Sequence, residues 1–393
     1  MLEKEPRSFI QALPWVGFVA LMFWLNYSAR ATLSPLLVSV EQDLLIGHAA
    51  STSLLLMQGL GFCAALSLSG FCLCRIRPVH LAGLSIMASG LILICMPWAD
   101  SMPKVRLIFL LFGFSAGFYF PAGMATLTSL VELKDIGKAV AVHELAPNLG
   151  FILIPLIAQG LLLLTNWRNV YAALGWLMAV VGVLFMLLAR GGRSYLPPPS
   201  FTGIRLMLNT PATFAVFMLM AVATIGEFSV FCILQIFLVN SAGFQPEAAN
   251  LAISISRLAT VPGVIIGGLA ADRLNPYRFM GGCLLLHAVA LVMMCLPGNT
   301  LILAGVTIQA MAIAMFFPSI FKGLAQTFPI NNHPILMSLT MPLAALISAG
   351  LMPVFLGWCG QYLSFKVGLT ALALASCGSL WGVMILARNR LAK

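Results

Sequence analysis

Charged residues are scarce in this 393-residue chain, of which only 8% are Asp, Glu, Lys or Arg. Soluble domains carry about 25% charged residues. This sequence is instead 61% hydrophobic, with a mean hydropathy of +1.02. A soluble fold has too little interior to bury so much apolar surface. The composition therefore indicates a protein whose solvent is the lipid bilayer.

Signatures of metal, cofactor and nucleic-acid binding are also missing. The nine cysteines are scattered through apolar segments, and only Cys72 and Cys74 are close neighbours, so their spacing indicates neither a zinc site nor a disulfide framework. The net charge is +10, but no basic run with interleaved aromatic residues accompanies it. No motif for hydrolysis or phosphate transfer appears. We therefore expect no enzymatic activity, no cofactor, no metal and no nucleic-acid partner.

Long apolar runs are abundant, and a membrane helix needs roughly 20 such residues. The longest polar break covers residues 190–209 and contains three consecutive prolines. We expect an all-α membrane protein with two six-helix bundles, at 1–189 and 210–393, joined by the linker 190–209. The twelve predicted spans lie near 13–37, 49–73, 79–98, 105–131, 138–164, 169–189, 211–240, 247–271, 279–296, 300–326, 334–357 and 364–387.

The basic residues predict the orientation of these spans, because loops on the cytoplasmic side are enriched in Lys and Arg. With the N-terminus inside, 14 of the 21 basic residues fall in cytoplasmic segments and four in outer loops. The other three, Arg30, Arg257 and Lys322, lie within predicted helices. We therefore expect both termini in the cytoplasm. The compact loops are typical of a prokaryotic cell membrane, so we expect a bacterial inner membrane.

The two halves repeat. Residues 70–75 precede residues 268–273 by 198 positions, and the Gly-Phe-Tyr-Phe-Pro run at 117–121 precedes a similar run at 314–318 by 197. Landmarks at one offset and in one helix order indicate parallel repeats related by an axis along the membrane normal. This is the architecture of the major facilitator superfamily, which the sequence resembles over its whole length.

A loop motif carries the same resemblance. Gly268, Asp272 and Arg273 match the Gly-x-x-x-Asp-Arg between the second and third helices of a half in that superfamily. The first half keeps Gly70 and Arg75 but has cysteine at the aspartate position. The resemblance implies a secondary transporter that works by alternating access, with Gly268, Asp272, Arg273 and Arg75 forming conformational latches.

The first helix resembles a narrower group. Asn26-Tyr-Ser-Ala-Arg-Ala-Thr-Leu-Ser34 is similar to the Asn-Tyr-x-Asp-Arg-x-x-Leu-Ser of the anion:cation symporters. In those proteins the arginine contacts the anionic substrate, which implies that role for Arg30. This sequence has Ala29 where the motif has aspartate, and its fourth helix lacks the family's Arg and Glu. Asn26, Arg30 and Ser34 share one helix face, because they are spaced four apart.

Intramembrane ionisable groups are expensive and usually mark function. The repeat places Glu227 in the helix equivalent to that of Arg30. The two alternatives for this pair are a structural ion pair and a substrate or proton site. Arg257 either pairs with Glu227 or binds an anion, and Asn250 and Ser254 share its face. Lys322 either reaches toward the interface or binds substrate.

The fifth helix carries the candidates for proton transfer. His143 and Glu144 are adjacent, and Asn148 lies one turn beyond Glu144 on the same face. Both titratable side chains are able to exchange a proton near neutral pH in a membrane interior. The alternative is that Glu144 pairs with Lys138 or Lys322. His287 is expected to be a buried histidine with satisfied hydrogen bonds.

Together these features predict a proton-coupled transporter of a small organic anion or zwitterion, acting as a monomer. The alternative is a proton-coupled exporter of hydrophobic or cationic compounds, with Glu227 as its acidic group. A receptor without transport activity is disfavoured, because no soluble domain is appended. The proton carriers would be Glu144, His143 or Glu227. The expected substrate-binding residues are Arg30, Asn26, Tyr27, Tyr119, Asn148, Glu227, Arg257 and Lys322.

Overall fold

Twelve apolar helices account for most of the residues that the computed structural model describes, which are 8–132, 135–189, 191, 195, 210–328 and 333–389. The predicted all-α, twelve-span architecture is confirmed. We number the spans α1 to α12 in chain order. Their bounds are Phe9–Leu44, His48–Leu73, Pro78–Trp98, Met102–Leu130, Ile136–Leu162, Trp167–Leu188, Pro211–Ala242, Pro246–Arg273, Pro276–Cys295, Asn299–Thr327, Thr340–Tyr362 and Phe365–Arg388.

Parts of the prediction fall outside the described residues. Nearly all of the linker 190–209 does so, as do eight basic residues used for the orientation: Lys4, Arg7, Lys134, Arg190, Arg193, Arg205, Arg390 and Lys393. Within the described residues, the largest boundary difference is in α1, which was predicted at 13–37. The helix continues to Leu44, because its polar last turn lies beyond the apolar run that the prediction measured.

Four spans are interrupted one turn before a proline. Proline lacks the N–H that would bond the carbonyl four residues earlier, and its ring crowds that carbonyl. The interruptions separate Phe9–Ala31 from Leu33–Leu44, Met102–Gly117 from Tyr119–Leu130, and Pro246–Arg257 from Thr260–Arg273. In α11 the same position is a π-helical turn, Ile347–Leu351. The prolines responsible are Pro35, Pro121, Pro262 and Pro353.

Helix α7 also contains a π-helical turn, Ile225–Ser229, although no proline follows it. Such turns are rare and are frequent at functional sites. The Ser229 hydroxyl donates to the carbonyl oxygen of Ser348, so the turns of α7 and α11 are joined directly.

The chain divides into two units. Unit 1 comprises Met1–Val40 and Met57–Pro199, and unit 2 comprises Glu41–Leu56 and Ser200–Lys393. The α1–α2 connection therefore belongs to unit 2. Its Ala49 N–H donates to Gln361 Oε1 of α11 at 2.9 Å.

In unit 1, α2 and α4 cross where both lack side chains. A Cβ on Gly61 would overlap the Leu110 carbonyl oxygen, and a Cβ on Gly113 would overlap that of Gln58. Small residues permit this close approach of membrane helices. The crossing fixes the face of α2 that carries Gln58 and Phe62.

Replacing Gly113 with alanine should destabilise unit 1 by about 1–3 kcal/mol, because the new methyl group forces two backbones apart. Gly160→Ala in α5 is the matched control, since no heavy atom lies within 4 Å of a Cβ there. We expect the melting temperature of the purified protein to fall for Gly113→Ala and to stay or rise for Gly160→Ala, where alanine favours the helix. Equal melting temperatures would contradict the crossing.

Candidate functional site

The guanidinium of Arg30 lies between aromatic rings in unit 1. Its Cζ atom is 3.9 Å from the Phe62 ring centroid and 5.8 Å from that of Tyr27. Arg30 is only 7% exposed and is the second-last residue of the first segment of α1, Phe9–Ala31. Gln58 Nε2 donates to the Arg30 carbonyl oxygen at 3.4 Å. Such a desolvated cation–ring contact is worth up to about 2 kcal/mol, so it holds the guanidinium in place.

The neighbours of Arg30 on α1 serve mainly to pack helices. Asn26 Nδ2 donates to the Ala116 carbonyl oxygen of α4 at 3.0 Å. The Tyr27 ring meets Phe151 of α5 edge-on, with centroids 5.1 Å apart. Ser28 is buried, and its hydroxyl has no hydrogen-bond partner among the described residues. The predicted polar stripe is therefore largely enclosed by α4 and α5.

A stack of rings surrounds His143. The imidazole lies flat on Phe23, with centroids 4.2 Å apart and planes inclined by 6°. Tyr119 also stacks on Phe23, at 5.8 Å, and its hydroxyl donates to the Val19 carbonyl oxygen at 2.6 Å. This hydroxyl is therefore engaged within the bundle, 3.5 Å from His143 Nε2.

Glu144 contacts His143. His143 Nδ1 lies 3.2 Å from Glu144 Oε1, and the imidazole is fully buried whereas 48% of the Glu144 side chain is exposed. Lys138 instead pairs with Asp135 at 2.7 Å. Asn148 donates to the Glu144 backbone carbonyl at 3.2 Å. The alternative in which Glu144 pairs with Lys138 is therefore not the arrangement found, and an acid–imidazole pair connects the buried stack to the exposed face.

In unit 2 the corresponding buried cation is Arg257. Its Nη2 atom donates to the Glu227 carbonyl oxygen, in the π-turn of α7, at 3.1 Å. Its Cζ atom lies 5.1 Å from the Phe231 ring centroid. Arg257 is 2% exposed and is the last residue of the segment Pro246–Arg257, just before a proline-associated interruption. The structure thus brings Arg257 to the backbone of Glu227, whereas the predicted alternative was an ion pair with the Glu227 carboxylate.

The rest of this face of α8 is buried and polar. Asn250 and Ser254 are 0% and 2% exposed. The Ser254 hydroxyl has no hydrogen-bond partner among the described residues. A buried hydroxyl without a partner costs about 1–3 kcal/mol, and bound solute or water would remove this cost.

Lys322 lies with the loop motif. Its Nζ atom donates to Asp272 Oδ1 at 3.2 Å, and 82% of the Asp272 side chain is exposed. Arg273 and Arg75 are exposed, and Gly268 has open space around it. The structure therefore joins Lys322 to the aspartate of the loop motif.

His287 is a satisfied buried histidine, as predicted. Its Nδ1 lies 2.9 Å from Ser376 Oγ, and its Nε2 lies 3.2 Å from Gln309 Nε2. All nine cysteines are free.

Sequence analysis missed Phe62, Gln58 and the π-turn of α7. Phe62 lies four positions after Gln58, on the same face of α2. The single glutamine in this apolar span was the signal that could have indicated the face. A second missed signal is the proline five positions after each buried arginine, at Pro35 and Pro262. Both arginines lie in the last turn of a helical segment.

The family model described as the Major Facilitator Superfamily matches residues 19–231 and again 216–392. The glycerol-3-phosphate transporter of Bacillus subtilis (strain 168) is 22% identical over 284 residues, which cover 64% of this chain and 63% of that protein. A probable sugar efflux transporter of Helicobacter acinonychis (strain Sheeba) is 22% identical over 164 residues, 41% of each protein. The chain thus spans less than two thirds of the length of these curated relatives.

Solved structures share the fold. A bacterial homologue of the human lysosomal transporter Spinster, inward-facing and unoccupied, superposes with a TM-score of 0.81 at 15% identity, covering 97% of this chain and 98% of that one. A D-xylose–proton symporter gives 0.76 at 14% identity, covering 98% of each. The family model covers both halves and confirms the family prediction: the chain is a multi-pass membrane protein that belongs to the Major Facilitator Superfamily, a family of transporters and not of enzymes.

Proposed function

We propose that this transporter moves a small organic anion or zwitterion across the membrane together with protons. The observation that carries the proposal is a buried guanidinium in each unit, Arg30 against Phe62 and Arg257 against Phe231. Buried intramembrane arginines mark substrate and ion pathways. The planar guanidinium matches carboxylate and phosphate groups.

The similarity to a glycerol-3-phosphate transporter supports an anionic substrate, because that relative is named for a phosphate monoester. Sugar acids are the second class to test, because of the resemblance of Asn26–Ser34 to the anion:cation symporters. Tyr27, Asn26 and Asn148 would complete the binding face around Arg30. Within unit 2, Glu227 and Arg257 are the proposed binding residues.

For coupling, we propose that the His143–Glu144 pair carries the proton, since its atoms are 3.2 Å apart and Glu144 is half exposed. We place both termini in the cytoplasm, because the basic residues are concentrated on that side. We also propose that the membrane is a bacterial inner membrane. The working units are the bundles 1–189 and 210–393 with the linker 190–209, and a single chain suffices for transport.

The test is uptake by proteoliposomes that contain the purified protein. Radiolabelled glycerol-3-phosphate, gluconate, glucuronate and a cationic dye would be offered with and without a pH gradient of one unit. We expect one of the anions to accumulate only with the gradient and to raise the melting temperature, because a ligand of the folded state stabilises it. No accumulation of any anion would overturn the proposal.

The second candidate function is proton-coupled export of hydrophobic or cationic compounds. Glu227, a half-buried carboxylate in unit 2, favours it, as does the similarity to a probable efflux transporter. Under this alternative the same liposomes would move the dye in exchange for protons, and Glu227→Gln would abolish that movement.

A further inference from the structure

One buried histidine lies directly against the π-turn of α7. A Cβ built on Gly226 would lie 2.8 Å from His287 Nε2 and 2.8 Å from the Ile313 side chain. Only glycine therefore fits this position of the turn without moving the imidazole. The turn also carries Glu227.

Gln309 of α10 bridges the imidazole and the turn. Its Nε2 donates to the Gly226 carbonyl oxygen and lies 3.2 Å from His287 Nε2. If the Gln309 amide were flipped, its oxygen would face the Gly226 carbonyl oxygen, and two acceptors would repel each other. The Gln309 nitrogen must therefore face the turn. The amide nitrogen carries two protons, and the second can be donated to His287 only if the imidazole Nε2 carries none.

The other end of the imidazole requires the same tautomer. His287 Nδ1 lies 2.9 Å from Ser376 Oγ of α12, and the Ser376 hydroxyl already donates to the Leu372 carbonyl oxygen at 2.9 Å. Ser376 Oγ therefore accepts a proton from Nδ1. Both ends of the ring independently specify a neutral imidazole with its proton on Nδ1.

A cavity of about 30 Å³ adjoins this histidine. His287 and Ser376 are its polar lining residues, and the remainder is apolar side chains of α7, α11 and α12. The surface of this cavity is apolar, so the imidazole makes its polar contacts with Gln309 and Ser376 and not with the cavity.

We propose that His287 is a positioning residue whose neutral form, through Gln309, holds the turn that carries Glu227. A proton added at Nε2 converts the acceptor into a donor that faces the Gln309 amide protons. Gln309 is then displaced, the Gly226 carbonyl oxygen loses its partner, and the turn is released.

The charged groups around this turn are few among the described residues. Glu227 is the titratable side chain within Ile225–Ser229, and Arg257 of α8 donates to the Glu227 carbonyl oxygen. The groups that reach the imidazole from α7, α10 and α12 are Gly226, Gln309 and Ser376. This inference goes beyond the proposed function, because it assigns acid-sensitive control of unit 2 without reference to any substrate.

Hydrogen exchange on substrate-free protein tests the inference. In His287→Leu the protection factors of amides 226–230 should fall about 3- to 10-fold, the effect of losing one hydrogen bond. In His287→Gln they should remain within twofold of the wild type, because an amide oxygen can replace Nε2 as the acceptor. Lowering the pH should reduce protection in the wild type and leave His287→Gln unchanged. The exposed His80→Leu is the control.

Imidazole NMR of histidine-labelled protein gives a second measurement that does not depend on the leucine variant folding. The resonance missing from His287→Gln should report the Nδ1–H tautomer at neutral pH. An Nε2–H tautomer, or equal pH dependence of exchange in the wild type and His287→Gln, would overturn the inference. Because neither measurement uses substrate, failure of the anion uptake assay leaves both results interpretable.

Discussion

Replacing Arg30 with alanine is expected to reduce anion transport at least about 30-fold while the protein stays folded. Removing one partner of a buried, hydrogen-bonded charge pair costs about 2–5 kcal/mol, and each 1.4 kcal/mol is a factor of ten. The remaining packing of α1 survives, because Asn26 still bonds α4 at Ala116. The measurement is the initial rate of anion uptake into proteoliposomes, with protein folding verified by its melting temperature.

Arg30→Lys separates charge from geometry. The ammonium keeps the charge but lacks the planar group that stacks on Phe62 at 3.9 Å and binds an anion through two parallel hydrogen bonds. We expect transport between that of the wild type and that of Arg30→Ala. If lysine fully restores the rate, the site needs only a charge. If alanine retains it, Arg30 does not bind the substrate.

A surface cation provides the control. Lys104 lies outside the buried region and pairs with Asp100 at 2.9 Å. Its hydrogen bond holds the pKa of the Asp100 carboxyl below the usual value. Lys104→Ala returns that pKa to its usual range and should leave anion uptake within about twofold, because exposed pairs contribute little. A comparable loss in both variants would indicate a general effect of net charge.

Much of the fold was predictable because bilayer thickness fixes the length of an apolar run. The sixth span was expected at 169–189 and lies at Trp167–Leu188, and the twelfth was expected at 364–387 and lies at Phe365–Arg388. The polar last turn of α1 was missed, because hydropathy measures the apolar run and a helix continues beyond it. The assignment of Glu41–Leu56 to unit 2 depends on contacts with α11 that no local pattern encodes.

The site was predictable only as far as single residues. The burial of Arg30 and Arg257 followed from their position in apolar spans. The ring beneath Arg30 depends on the crossing of α2 and α4, and the partner of Lys322 depends on how α8 meets α10. The network of His287 also needed coordinates, because Gln309 and Ser376 are 22 and 89 residues away.

Replacing His143 with glutamine should uncouple transport from protons. We expect the variant to lose anion accumulation driven by a pH gradient and to keep anion exchange across the membrane. Histidine changes charge between about pH 5 and 8, which suits a proton carrier. His143 is clamped by Phe23 and lies 3.2 Å from Glu144, so the pair has a buried end and an exposed end. His143→Gln should bind and exchange anion across the membrane within about threefold of the wild-type rate, because the guanidinium of Arg30 is unchanged.

Accumulation driven by the pH gradient should instead vanish. One proton per anion in a gradient of one pH unit stores about 1.4 kcal/mol, which supports a concentration ratio of about ten. Without a carrier this ratio falls to one, and Glu144→Gln should reduce it in the same way if the two groups act as a pair. His80→Gln, which changes an exposed histidine, should keep the ratio of the wild type. If both His143→Gln and Glu144→Gln still accumulate anion, the proton travels by another route, and Glu227 of the α7 turn becomes the group to replace next.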